Sequence, residues 1–104
     1  MNDGSANATS TEAEIGAIRR TLQITNKRGL HARAAAKFVR TVGQFDCQVR
    51  VTFKGQEVSG LSIMGLMMLA AGLGSAIDLA CSGRQAVEVI AALSTLIEGK
   101  FGED

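Results

Sequence analysis

The apolar residues of this chain follow two different spacings, and the order in which the spacings alternate is what most restricts its fold. In three stretches apolar and polar residues alternate one by one, which is the pattern of strands with one buried face. In three others the apolar residues recur every three or four positions, as on one side of a helix. The strand-like stretches are 18–24, 47–53 and 77–81, and the helical ones are 32–42, 62–70 and 86–97.

Turn and cap residues mark the ends of these elements. The pair Lys54-Gly55 predicts a tight hairpin into a short strand at 56–59. Ser82 is expected to cap the last helix, because serine is favoured at helix starts. Arg20 lies on the apolar side of the first strand and therefore predicts that this strand starts late.

The resulting element order is β-α-β-β-α-β-α. Short hairpins combined with separate helices predict an α+β fold, in which three helices cover one face of a four-stranded, mainly antiparallel sheet. Residues 1–16 are small and polar without a hydrophobic period, and they predict a disordered N-terminal arm. Residues 17–104 are then expected to form a single domain, which is long enough for one modest core.

Composition excludes several classes of function. Eleven Lys and Arg against ten Asp and Glu give a net charge of +1, so neither nucleic acid nor an anionic membrane is an expected partner. The four aromatic residues are all Phe, too few for the stacking surface of an RNA-recognition module.

The cysteines and the apolar stretches predict no site either. One histidine and two isolated cysteines, Cys47 and Cys81, predict no metal site, and no cofactor is expected. Both cysteines lie on the apolar side of strands, which favours a structural role. The uncharged stretch 58–77 is interrupted by glycine and serine, so no membrane span is expected. The N-terminus lacks the features of a signal peptide, and we expect a cytoplasmic protein.

His31 is the residue whose setting predicts chemistry. It follows Gly29-Leu30 and precedes a predicted helix, where unpaired N–H groups and the helix dipole favour an anion. Arg33 lies close enough to bind the same anion. A neutral imidazole is also a competent nucleophile toward a phosphoryl group. These residues predict a site that accepts a phosphoryl group on His31 and stabilises it with Arg33.

Two segments give the chain its resemblance to a known family. Residues 29–33, Gly-Leu-His-Ala-Arg, resemble the active-site motif of HPr, the histidine-containing phosphocarrier of the bacterial phosphoenolpyruvate-dependent phosphotransferase system. Residues 62–69 resemble the regulatory-serine segment of that family and lie at the expected separation from the histidine. The resemblance covers about 18–101 and implies the open-faced β-sandwich of the family.

The resemblance implies a stoichiometric phosphocarrier, which is not itself an enzyme. His31 would carry the phosphate on Nδ1, after accepting it from enzyme I and before passing it to an enzyme IIA protein. Arg33 matches the arginine beside that histidine, and Ser62 matches the serine that an HPr serine kinase modifies in many members. The residues expected to bind partner proteins are Ile63, Met64, Met67 and Arg40.

The chain also departs from the family pattern. Ala34 stands where the family commonly has proline, and Leu61 replaces the basic residue that often precedes the serine. The Ala-rich first helix and Met-rich second helix resemble the nitrogen-related branch, whose roles are regulatory. Two functions stay open: a phosphoryl shuttle, and a regulatory binding protein whose phosphorylation state controls its partners instead of sugar uptake.

Overall fold

The computed structural model describes residues 16–103 of the 104-residue chain. The predicted disordered arm lies outside the described residues, apart from Gly16 at its end. Within the described range the chain forms four strands, three α-helices and one short 3₁₀ turn. These are β1 (Ile18–Gln23), α1 (Ala32–Val42), β2 (Gln48–Phe53), β3 (Gln56–Ser59), α2 (Ile63–Met68), β4 (Ala76–Ser82), α3 (Ala86–Glu98) and the 3₁₀ turn Lys100–Gly102.

The four strands form one antiparallel sheet in the order β1-β4-β2-β3. Leu22 of β1 lies opposite Ile77 of β4, so the apolar sides of the two strands share a face. The β2–β3 hairpin turns through Lys54 and Gly55, whose φ angles of 50° and 81° are both positive. A two-residue hairpin turn of the type that follows strand twist requires such angles.

The helices lie together on the apolar face of the sheet. Helix α3 packs on β1 and β4, α2 packs near β3, and α1 contacts both of the other helices. Alternate strand residues and one stripe of each helix therefore meet in a single core, which confirms the predicted α+β fold. Its most deeply buried large side chains include Phe38, Phe101, Ile24, Leu66, Ile77, Leu79, Leu93 and Ile97.

The strand β1 starts earlier than predicted. It begins at Ile18, and Arg20 pairs with Leu79 of β4 although its side chain is exposed. The ladder hydrogen bonds of an edge strand involve only backbone, and a long arginine side chain can reach water from the apolar side. Arg20 is therefore compatible with the strand.

Ser82 does not cap the last helix, so that prediction is wrong. It is buried as the last residue of β4, where it pairs with Gln48. Gln85 takes the N-cap position without a side-chain cap bond. Its side chain is engaged elsewhere, because Asp46 N donates to Gln85 Oε1 at 2.8 Å while Gln85 N donates to Asp46 O at 2.9 Å.

The helices are short. Helix α2 is shorter than the predicted 62–70, since it ends at Met68 with Leu69 as its C-cap. Within residues 16–103 there is no helix of the length and hydropathy that crossing a bilayer requires.

Candidate functional site

His31 is the N-cap of α1. Its backbone is extended, with φ −74° and ψ 178°, and its carbonyl accepts the N–H of Ala35 at 2.8 Å. Its side chain makes no cap bond, so the imidazole is not used to complete the helix. The side chain therefore lies at the end of α1 where N–H groups lack helical partners and the dipole is positive.

The loop before His31 is held tightly against the 69–75 connection. Leu30 N donates to Ala71 O at 3.0 Å. Gly29 adopts φ +65°, and a Cβ there would lie 2.4 Å from Ala71 O and 2.6 Å from Gly72 Cα. Only glycine fits this approach of two backbones, so the loop has little freedom to move the histidine.

The imidazole is hydrogen-bonded to a carboxylate that the sequence analysis did not identify. His31 Nε2 lies 2.5 Å from Glu103 Oε2, and the two side chains are only 13% and 14% exposed. Asn26, fully buried, donates from Nδ2 to the other carboxylate oxygen at 3.1 Å and to Gly29 O at 2.9 Å. His31 and Glu103 are separated by 72 positions, and no residue spacing links them.

The surroundings of Glu103 keep it ionised. Desolvation raises the pKa of this carboxyl group, but hydrogen bonds from Asn26 and His31 and the charges of His31 and Lys37 outweigh it, so the pKa lies below its ordinary value. An ionised carboxylate only accepts hydrogen bonds, so the proton in the contact belongs to Nε2. In the neutral ring the lone pair is then on Nδ1, which takes part in no hydrogen bond within residues 16–103.

Glu103 reaches the histidine through a bend that follows α3. Lys100, Phe101 and Gly102 have φ angles of 58°, 55° and 75°. Phe101 is fully buried, and its carbonyl accepts Lys37 Nζ at 2.5 Å. The segment is therefore held against α1 two residues before Glu103, which contacts His31.

A basic cavity of about 380 Å³ adjoins this contact. Arg33 has an exposed side chain that lines this cavity, whereas His31 lines a second cavity of about 160 Å³ that also includes Arg28. Lysine and guanidinium groups around one cavity can stabilise a dianion through charge-assisted hydrogen bonds. Arg40 is exposed but does not line it. The lining residues are Lys27, Arg28, Arg33, Lys37, Gly102 and Glu103.

Helix α2 presents an apolar surface beside α1. Ile63, Met64 and Met67 are 40%, 67% and 37% exposed, whereas Leu66 and Leu69 are buried. The helix therefore places Leu66 in the core and leaves four side chains outward, these three and Met68, which is 73% exposed. We call Ile63, Met64 and Met67 the α2 patch.

Ser62 begins α2 as its N-cap. Its Oγ accepts the N–H of Gly65 at 2.9 Å, which is the hydrogen bond of a serine N-cap. Leu61, directly before it, is 57% exposed. Ser62 itself is half-buried at one end of the α2 patch.

Neither cysteine has the environment of a reactive thiol. Burial, and the charge of the neighbouring Cys47, raise the pKa of Cys81 to about 11. Burial and the nearby Asp46 raise the pKa of Cys47 as well. Nucleophilic thiols have lowered pKa values, so neither environment favours a reactive thiol.

Comparison with known proteins gives one consistent result. The family described as "PTS HPr component phosphorylation site" matches residues 18–99. The chain is 49% identical over 86 residues to phosphocarrier protein HPr of Neisseria meningitidis serogroup A, covering 83% of this chain and 97% of that one. It is 36% identical over 86 residues to phosphocarrier protein NPr of Shewanella violacea, covering 83% and 94%. An HPr structure from Thermoanaerobacter tengcongensis is similar with a TM-score of 0.80 and 44% identity, covering 84% of this chain and 98% of that chain.

Proposed function

Because the chain belongs to the HPr family of phosphocarrier proteins, we propose that His31 accepts a phosphoryl group from phosphoenolpyruvate by way of enzyme I and passes it to an enzyme IIA protein. The observation that carries this proposal is the position of the imidazole. His31 is the N-cap residue of α1, and its Nδ1 is unengaged by residues 16–103. Its ring contacts Glu103, which lines a cavity together with four cationic side chains.

The chemistry follows from the groups present. The lone pair on Nδ1 attacks phosphorus, and the bond from phosphorus to the donor breaks as the donor atom keeps the electron pair. Arg33 binds the phosphoryl oxygens, since its guanidinium can offer two N–H groups to two oxygens at once. Each copy holds one phosphoryl group and returns to its starting state on transfer, so the protein is a carrier and not an enzyme.

The α2 patch is the surface we propose for docking on enzyme I and enzyme IIA. Its exposed methionines are flexible and suit a surface that packs against unrelated partners in turn. Arg40 extends the contact on α1, where its charge favours an acidic partner surface. A carrier must also release each partner quickly, which favours a small contact area.

Ser62 supplies a second level of control in this proposal. An HPr serine kinase would phosphorylate its hydroxyl, adding close to two negative charges beside the α2 patch. A partner that covers the patch would have to desolvate that charge, so docking and His31 phosphorylation would both decrease.

The alternative is a regulatory binding protein whose phosphorylation state selects its partners. The position of Ser62 at one end of the α2 patch is the observation that favours it, because one modification then changes one docking surface. Identity to the Neisseria HPr, 49%, exceeds that to the Shewanella NPr, 36%, which favours the shuttle.

A chase experiment distinguishes the two functions. The protein is labelled with enzyme I and radioactive phosphoenolpyruvate, separated from enzyme I, and mixed with enzyme IIA proteins. For a shuttle, the label moves to an enzyme IIA within seconds to minutes and the carrier returns unlabelled. A carrier that accepts label but keeps it in the presence of every enzyme IIA tested would support the regulatory function instead.

A further inference from the structure

Glu103 is the part of the site that phosphoryl transfer through His31 and Arg33 does not explain. Its two carboxylate oxygens are both engaged, one by His31 Nε2 at 2.5 Å and one by Asn26 Nδ2 at 3.1 Å. We propose that Glu103 is a positioning residue for phosphoryl transfer: it fixes the His31 ring by Nε2–H and stabilises the positive charge the ring gains. This inference rests on the proposed function of His31.

The backbone around Glu103 is strained in a way that serves this contact. Lys100 and Phe101 adopt the left-handed conformation, which side chains other than glycine rarely occupy. Such strain persists only where the surroundings hold it, and here the buried Phe101 ring and the Lys37 bond to its carbonyl do so. The strained turn directs Glu103 back toward α1 and against the imidazole.

Asn26 joins Glu103 to the loop that carries the histidine. Both of its amide N–H groups donate, one to Gly29 O and one to the Glu103 carboxylate. Its Oδ1 is buried without a partner among the described residues, which is a costly arrangement. The buried Asn26 side chain therefore interacts through its two donor bonds. These bonds fix the position of the Glu103 carboxylate relative to His31.

The charge balance of the transfer step shows what the contact does. When Nδ1 forms its bond to phosphorus, the donor leaves with the electron pair and no proton leaves the ring. The ring retains its Nε2–H and acquires a positive charge, which the Glu103 carboxylate faces at hydrogen-bond distance. A fixed negative group at that nitrogen favours the charged ring over the neutral one. The cations of the adjacent cavity offset the repulsion between this carboxylate and the phosphoryl oxygens.

The first arm of the test is spectroscopic and does not depend on phosphoryl transfer. In ¹⁵N-labelled protein we expect a resolved Nε2–H proton for His31, protected from solvent exchange by the carboxylate. Glu103→Gln replaces an obligate acceptor with an amide that both donates and accepts, so exchange of this proton should accelerate about tenfold. Glu98→Gln, a change to the exposed carboxylate that ends α3, is the matched control and should leave the signal unchanged.

The second arm measures the rate of His31 phosphorylation by phosphorylated enzyme I. Glu103→Gln should slow it about tenfold, and Glu98→Gln should not. Glu103→Asp keeps the charge but shortens the side chain, so the contact with His31 Nε2 is lost. If that contact sets the rate, Glu103→Asp should slow phosphorylation as much as Glu103→Gln does. If Glu103→Asp is phosphorylated as fast as the protein without a substitution, the positioning role is overturned and only a long-range charge effect is left.

The outcomes separate this inference from the function on which it rests. An unchanged Nε2–H signal, or an unchanged transfer rate, in Glu103→Gln overturns the role of Glu103. An unmodified protein that takes no label on His31 contradicts the proposed function itself. Loss of the protected proton together with slower transfer, both absent in the Glu98 control, supports the inference.

Discussion

Two cationic residues one turn apart on α1, Lys37 and Arg33, line the same cavity beside Glu103 but differ in their surroundings. Lys37 is half-buried and donates to Phe101 O, so it holds the segment that follows α3 in place. Arg33 is exposed and has no hydrogen bond or ion pair within residues 16–103. In the proposed function this guanidinium binds the phosphoryl oxygens.

Arg33→Lys separates the charge of this residue from its geometry. Lysine keeps the positive charge but loses the planar pair of donors, so phosphoryl transfer should slow about tenfold. The melting temperature should change by less than about 3 °C, because the side chain is exposed. Arg84→Lys, the same change at an exposed arginine beyond the far end of β4, is the control. Its ion pair with Asp46 is solvent-exposed and contributes little, so neither quantity should change. A large loss of stability with normal transfer would show that Arg33 is structural.

At this scale the sequence could suggest only part of the candidate site. His31 and Arg33 lie in one short segment, and the chemistry of a helix start identified them without knowledge of the fold. Glu103 could not be predicted, because its contact depends on two residues in the left-handed conformation after α3. The only local signal was the presence of glycine at 99 and 102, which indicates a turn but not its direction.

Helix α2 is short, and its two sides differ in burial, which suits a docking element. Its six residues place one leucine in the core and leave the α2 patch exposed, and its start is fixed by the Ser62 cap. The resemblance predicted that Ile63, Met64 and Met67 would be exposed, but it did not single out Met68, which is 73% exposed. The helical period did not predict the early end at Met68, since the apolar pattern continues past the residue where the chain turns.

Met64→Glu tests docking on the α2 patch. A charge at a side chain that is 67% exposed should leave the free energy of unfolding within about 0.5 kcal/mol, while weakening association with enzyme I. Binding is measured by titration calorimetry or by the concentration dependence of transfer. Val87→Glu is the matched control, because Val87 on α3 has the same 67% exposure. Equal weakening by both variants would show a general charge effect and remove the patch from the docking surface.

Ser62→Asp and Ser62→Ala test the proposed regulation. Aspartate is as good an N-cap as serine, so the helix should keep its stability, whereas alanine should cost about 1 kcal/mol. Aspartate should nevertheless slow His31 phosphorylation several-fold, because its charge lies at the end of the α2 patch, and alanine should not. Rates are compared at a temperature where all variants are folded. Equal rates would reduce Ser62 to a helix cap.

Across the whole molecule, the fold followed from where the hydrophobic period changes along the chain. The period predicted three of the strands and the three helices, and the Lys54-Gly55 turn predicted the fourth strand; the structure confirms these elements and the layering of helices on one sheet face. The 3₁₀ turn at Lys100–Gly102 was not predicted. The errors occurred at element ends: Ser82 extends β4 because it pairs with Gln48, and the edge strand β1 accommodates Arg20. Both outcomes depend on pairing with a neighbouring strand. The residue pattern within one segment carries no information about that pairing.

The tight approach at Gly29 connects the histidine loop to the rest of the molecule. Gly29→Ala introduces a Cβ that clashes with Ala71 O in addition to left-handed strain, so we expect a loss of more than about 2 kcal/mol in unfolding free energy. Gly55→Ala is the control, because φ there is also positive but no atom lies within 4 Å of the added carbon. It should cost only about 1–2 kcal/mol. Equal losses in chemical denaturation would show that the backbone contact is not tight.

The central claim is that His31 is the residue that carries the phosphoryl group. Incubation with enzyme I and labelled phosphoenolpyruvate, followed by mapping of the modified residue, tests it directly. We predict one label per chain on His31, labile in acid and stable in base as expected for a phosphoramidate, and none in His31→Ala. Acid-labile label that persists in His31→Ala, or a label that maps only to a hydroxyl side chain, would contradict the account.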